Sequence, residues 1–131
     1  MPRLRRLADH IPPRARVLFV GINPGLRSSA VGHHFAGYSN RFWKLLYESG
    51  LVPERLTWAD DVRLPDFGYG ITNLCPRPTA GIDGLRPSEF VAGRRSLRAK
   101  LRHARPRAVA LVGVTNYRAL FGDRPVRLGR Q

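Results

Sequence analysis

The side chain whose type and setting best suit chemistry is Asn23. It follows Val17-Leu18-Phe19-Val20, an apolar run with two β-branched residues that reads as a buried strand from Arg16 to Val20. Gly21 and the Asn23-Pro24-Gly25 turn then break the run. Pro24 fixes its own φ and biases Asn23 toward extended geometry. Gly25 permits a sharp bend and close approach of another molecule. The turn therefore presents one carboxamide from a stiff support at a strand end, where open α/β sheets bind ligands. A carboxamide both donates and accepts hydrogen bonds but is no real base, so its chemistry is positioning rather than proton abstraction.

Other groups offer less. The Gly21–Gly25 turn lacks the Gly-Lys-Ser/Thr of a triphosphate loop and the glycine spacing of a dinucleotide fold. His33 and His34 are adjacent, so they point apart, and no third ligand lies at a recognisable spacing; no metal or other cofactor is expected. Ser28 and Ser29 have no positioned base in the sequence. Asp60 and Asp61 are adjacent and cannot share a helix face; both are expected to be solvated. The single Cys75 excludes an internal disulfide and any cysteine-clustered metal, and suits a reducing cytoplasm.

The elements that must hold Asn23 alternate between strand and helix. Residues 26–39 read as a functional loop. Asn40 caps a helix that Gly50 stops, with Phe42, Leu45, Leu46 and Ser49 on one largely apolar face that Trp43 and Tyr47 extend. A short polar helix is expected over Trp58–Arg63, a second strand over Tyr69–Leu74, and then the rigid basic loop Cys75-Pro76-Arg77-Pro78-Thr79. Pro87 opens a long helix to about Arg102, with Phe90, Leu97 and Leu101 inward and a basic outer face. Ala108–Val112 reads as a third buried strand, and Asn116–Phe121 as a short helix closed by Gly122. The pattern implies an α/β domain, a parallel sheet covered on both faces. One domain of 131 residues is expected, with a basic arm over 1–15 and a polar tail over 123–131.

Charge points to the partner. Lys and Arg number 23 against 9 Asp and Glu, a net charge of +14, and only Lys44 and Lys100 are lysines. Arginine pairs bidentately with phosphate and stacks on bases, so a polyanion, nucleic acid, is the expected partner. No apolar run approaches the 18 or so residues of a membrane span.

Several blocks share a further likeness. Gly21-Ile22-Asn23-Pro24-Gly25-Leu26, Phe35-Ala36, Ser39-Asn40-Arg41-Phe42-Trp43-Lys44, Gly70-Ile71-Thr72-Asn73-Leu74 and Arg77-Pro78-Thr79 closely resemble, in order, the mismatch-specific uracil–DNA glycosylases, relatives of thymine–DNA glycosylase. The resemblance implies a three-layer α/β/α fold around a mostly parallel sheet. It also implies a monofunctional, cofactor-free enzyme of base excision repair that removes uracil, and more weakly thymine or damaged pyrimidines, opposite guanine. Asn23 matches the catalytic asparagine, and Phe35 the aromatic that stacks on the flipped ring. Ser28 matches a residue near the C5 edge of the base. Gly21, Ile22 and Gly25 then shape the base pocket, with backbone N–H groups near Ile22 and Phe35 at the base edge. Asn73, read from its own place after the second strand near the same sheet end, is a candidate to assist the water, the alternative being a plain strand-end role. Arg77, Arg94, Arg95 and Arg98 are expected to hold DNA phosphates. The partner is double-stranded DNA with a G·U or G·T mismatch, and the protein is expected to be a nucleoid-associated cytoplasmic monomer. The family's second motif, Asn-Pro-Ser-Gly, does not occur before Gln131. The expectation is a chain lacking the last strand and helix, with an open sheet edge and weak activity. The alternative is a non-catalytic nucleic-acid-binding module of the same fold.

Overall fold

The computed structural model describes residues 6–38 and 40–122. Residues 1–5 of the expected arm, Ser39, and the expected tail 123–131 lie outside the described residues. In chain order come strand β1 (Val17–Gly21), helices α1 (Leu26–Val31) and α2 (Phe42–Glu48), and a 3-10 helix over Trp58–Phe67. They are followed by strand β2 (Tyr69–Asn73), a 3-10 turn over Ile82–Gly84, helix α3 (Pro87–Ala104), strand β3 (Val109–Leu111) and helix α4 (Val114–Phe121).

The strands form a parallel sheet in the order β2-β1-β3. Alternation along β1 sends Phe19 to one face and Leu18 and Val20 to the other. Phe19 joins Trp43, Leu46, Leu64 and Ile71 in a core with α2 and the long 3-10 helix. Leu18 and Val20 pack with Leu74, Cys75, Leu85 and Leu97 under α3. This is the expected three-layer α/β/α arrangement around a parallel sheet. Gly93 lets α3 lie directly on the chain after β2, since a Cβ there would sit 2.4 Å from the Leu74 carbonyl oxygen.

The boundaries at Pro87, Gly50 and Gly122 fall where the sequence puts them. Arg41, not Asn40, takes the cap position of α2, but Asn40 just before it still accepts the Phe42 N–H on its Oδ1 at 2.9 Å. Four further expectations are corrected. Residues 26–39 are not all loop, because Leu26–Val31 forms α1. The inner face of α2 is Trp43 and Leu46 with Phe42, while Leu45 is 51% exposed. β3 is not buried; Val109 is 41% exposed at the sheet's outer position. The segment before β1 is no free arm, because His10 and Ile71 exchange both backbone hydrogen bonds, at 3.1 and 2.9 Å. Asp9, Thr72 and Lys100 tie it down further: Thr72 donates to Asp9 at 2.6 Å, and the Lys100 ammonium lies 2.8 Å from the same carboxylate.

Candidate active site

The parallel pairing of β1 and β2 continues past both strands. Leu74 N–H donates to Gly21 O, Cys75 N–H to Ile22 O, and Thr79 N–H to Pro24 O. The turn that carries Asn23 is thus zipped to the loop after β2. Asn23 itself completes the join. Its Nδ2 donates to the Arg77 carbonyl at 2.9 Å and to Thr79 Oγ1 at 2.8 Å. A carbonyl can only accept, so the amide's orientation is fixed. Thr79 Oγ1 in turn donates to Gly81 O at 2.6 Å, which leaves its lone pair for Asn23. Both amide hydrogens are spent on structure. Among the described residues no donor meets Oδ1, so this oxygen is the part of the side chain open to a ligand.

Asn23 lines a cavity of about 240 Å³ at this strand end, with Gly25, Ser28, Phe35 and Asn73. The structure therefore gathers five of the seven pocket residues read from the sequence. Gly21 and Ile22 do not line the cavity. Gly21 instead gives clearance, since a Cβ there would fall 2.6 Å from Asn73 Oδ1 and 3.2 Å from the Phe35 ring. Ile22 packs into the core beneath α3. Phe35 takes φ +53, and its ring lies 4.4 Å from that of Phe42, centroid to centroid. Ser28 is buried and its Oγ accepts from the Ala36 N–H at 2.9 Å, which holds the segment after Phe35 against α1.

The back wall is a polar network that sequence reading missed. Asp61 is 0% exposed, against the expectation that it is solvated. The 3-10 helix points Asp60 outward and its neighbour inward. Asp61 Oδ2 accepts the His34 N–H at 2.8 Å, and Oδ1 lies 2.8 Å from His33 Nδ1. His34 is buried and its Nε2 meets the Ala8 carbonyl at 2.8 Å, so Nε2 carries the proton. Its Nδ1 is then an acceptor, 3.4 Å from Asn73 Nδ2. Burial lowers the His34 pKa, with the Ala8 bond and Asp61 opposing and His10 adding to the fall, so the ring is neutral near pH 7. In the sequence the paired histidines have no third ligand at a recognisable spacing. The fold supplies one in space: His10, His34 and Asp61 each bring a ligand atom within 4.8 Å of the others. His34 Nε2 and both Asp61 oxygens are nonetheless engaged in the hydrogen bonds above.

The arginines divide. Arg77 Nε lies 2.8 Å from Glu89 Oε1, and its Nη2 bonds the Gly84 carbonyl, so its guanidinium braces the loop that holds Asn23. That partner also holds the Glu89 carboxyl below its usual range. Arg94, Arg95 and Arg98 are exposed on α3 and line no part of the cavity. Arg27 does line it, although only its place on α1 could have signalled this. Cys75 is buried and its thiol is pushed up to about 11, chiefly by desolvation, which makes it a poor nucleophile.

With this geometry in place, comparison with known families gives one finding. The model of the uracil DNA glycosylase superfamily matches residues 8–130.

Proposed function

The chain belongs to the uracil DNA glycosylase superfamily, and on that premise we propose that it is a monofunctional, mismatch-directed glycosylase. It removes uracil, and more weakly thymine or damaged pyrimidines, opposite guanine in duplex DNA, acting as a monomer on chromosomal DNA in the cytoplasm. The bond that breaks joins pyrimidine N1 to deoxyribose C1′; a water oxygen adds at C1′, the base leaves with the bonding pair as an anion, and the proton the water gives up passes to solvent, from which the departed base is neutralised. Extrusion of the base costs a few kcal/mol and is easiest at a mismatch.

The observation that carries this reading is the anchoring of Asn23. Its Nδ2 is held by Arg77 O and Thr79 Oγ1, and its Oδ1 is left for a water hydrogen. An amide takes no proton at neutral pH, so the rate must come from holding that water and from stabilising the departing charge. Backbone N–H groups near Ile22 and Phe35 are the proposed partners of the base edge, and the Phe35 ring is its stacking surface. Ser28 is the proposed neighbour of the C5 edge. Room is sufficient: a dry engineered cavity of about 150 Å³ holds benzene, and this one is about 240 Å³. The net charge of +14 favours a phosphate backbone.

Single-turnover excision on G·U, G·T and A·U duplexes tests the reading. Wild type is expected to release uracil fastest from G·U. Asn23→Ala is expected to lose about 100-fold or more, in the range of other preorganised polar groups, while affinity for a duplex with a stable abasic analogue changes only a few-fold. A wild-type chain that binds but releases no base would establish a binding module instead.

A further inference from the structure

Beside the cavity stands an aromatic ring that the fold holds in water. Tyr38 is 90% exposed, far beyond what a ring of that size usually shows. It is nonetheless fixed. The Arg27 guanidinium carbon lies 3.9 Å from the ring centroid, and Arg27 Nη1 donates to the Tyr38 hydroxyl at 2.8 Å. Arg27 is held in its turn, since its Nε donates to the Ala36 carbonyl at 2.8 Å. Asn40 N–H closes a turn onto Gly37 O at 3.0 Å, which puts Tyr38 at the turn's tip. Arg27, Gly37 and Asn40 all line the cavity. The ring therefore sits on its rim, with a cation behind one face and the other face open.

We propose that Tyr38, backed by Arg27, is a second nucleobase subsite: it stacks on a base flanking the one extruded toward Asn23. The inference rests on the glycosylase reading above and adds to it a contact outside the pocket. The chemistry fits a nucleobase because every base offers a flat π-face, and stacking on an aromatic ring tolerates any sequence. A preorganised ring loses little conformational entropy on binding. The guanidinium also brings positive charge to a place where a phosphate backbone must pass. Once a base leaves the stack its neighbour loses a stacking partner, and a ring at the pocket's edge is where a replacement is needed.

The test measures affinity for a duplex that carries an uncleavable abasic analogue opposite guanine, with 2-aminopurine beside it. Tyr38→Ala is expected to lose about 10- to 100-fold in affinity, in line with ring–base stacking, and to lose the 2-aminopurine signal change of wild type. Tyr38→Phe and Tyr38→Trp are expected to stay within about 3-fold, because the ring rather than the hydroxyl carries the contact. The loss should persist unchanged as salt rises, whereas a phosphate contact would fade. An exposed side chain leaves the thermal midpoint nearly unmoved, so a merely structural role would show as melting without the optical change. Affinity of Tyr38→Ala equal to wild type, or a loss shared by Tyr38→Phe, overturns the platform alone. A wild type that does not prefer the abasic duplex to plain duplex overturns both the platform and the glycosylase reading.

Discussion

The two strands that flank β1 are built to different standards. On one side β2 pairs with β1 over five residues, and Tyr69, Gly70, Ile71 and Thr72 are buried. Its outer edge is covered by His10, and the Asp9–Thr72–Lys100 group fastens that cover. On the other side β3 pairs over three residues, Val109 is 41% exposed, and Phe42, Leu45, Leu51 and Val112 line an open apolar groove. Asn23 sits at the end of the strand between them, yet its anchors Arg77 and Thr79 both follow β2. Asn73, His34 and Asp61 also belong to that side. The site is thus supported mainly from the better-made half, while the β3 side contributes at the end of β1, where the Val112 N–H and the Asn116 amide donate to the Val20 carbonyl at 2.9 and 2.6 Å.

The largest test of this asymmetry is a matched pair of truncations. Ile71→Ala removes a fully buried side chain from the core around Phe19. It is expected to destabilise by about 3 kcal/mol, the middle of the range for such deletions. Val109→Ala on the exposed flank is expected to change stability by about 0.5 kcal/mol, as for other surface sites. Urea denaturation gives both values. Equal losses would show that the two flanks contribute alike.

Asp61 comes next. Asp61→Ala leaves the buried His34 N–H without its acceptor and opens a small void, for an expected loss of about 2 kcal/mol. Asp61→Asn should recover about half of that. Its carbonyl oxygen can take the His34 N–H, and its amide can donate to His33 Nδ1 in the other tautomer. If the alanine variant is as stable as wild type, the network behind Asn73 does not hold the wall.

Asp61 also shows where sequence reading stops. β1, the Asn23 turn, α3 and the stop at Gly50 were legible because each is written locally, as a run, a proline or a period. Asp61 carries no such mark. Its burial depends on His33 and His34, 28 and 27 residues away, which the sequence offers only as an unhelpful adjacent pair. The outward turn of Leu45 was illegible for the converse reason: helical spacing names an apolar face but not what covers it. The task of Arg77 depended on Glu89, one turn into α3, and charge counting alone assigned it to phosphate. Arg27 on α1 and Tyr38 in the loop that follows form a pair 11 residues apart, a separation no helix or strand period foretells.

A pH series sharpens the comparison at a smaller scale. His34 is buried on the β2 side, and burial is the main cause of its lowered pKa. The unfolded chain takes up this proton first as pH falls below about 6.5. The stability held by the neutral ring is therefore complete above that value and is lost as pH falls toward the lowered folded pKa. Protonation also removes the Nδ1 lone pair that faces Asn73 Nδ2. Denaturation midpoints measured from pH 7.5 down to 5.5 should fall, and His34→Gln should remove that part of the slope. A slope unchanged by His34→Gln would assign the effect elsewhere.

The smallest effect should come from Asp60, next to Asp61 on the same 3-10 helix. Its Oδ2 accepts the Thr57 N–H at 2.9 Å and the Thr57 hydroxyl at 3.2 Å, which closes the helix start. The Thr57 backbone bond is the main cause of its lowered pKa. The cap faces water, so Asp60→Ala is expected to lose only about 0.5–1 kcal/mol, the usual worth of a cap. The sign with pH follows from the depressed carboxyl. The contribution is present above the ordinary carboxylate range and disappears as pH falls through the folded pKa, well below the window in which His34 acts. Two adjacent aspartates thus serve the two surfaces of one element. Asp60→Ala should leave the His34-dependent slope between pH 7.5 and 5.5 unaltered, while Asp61→Ala should distort it, since only Asp61 touches the histidine.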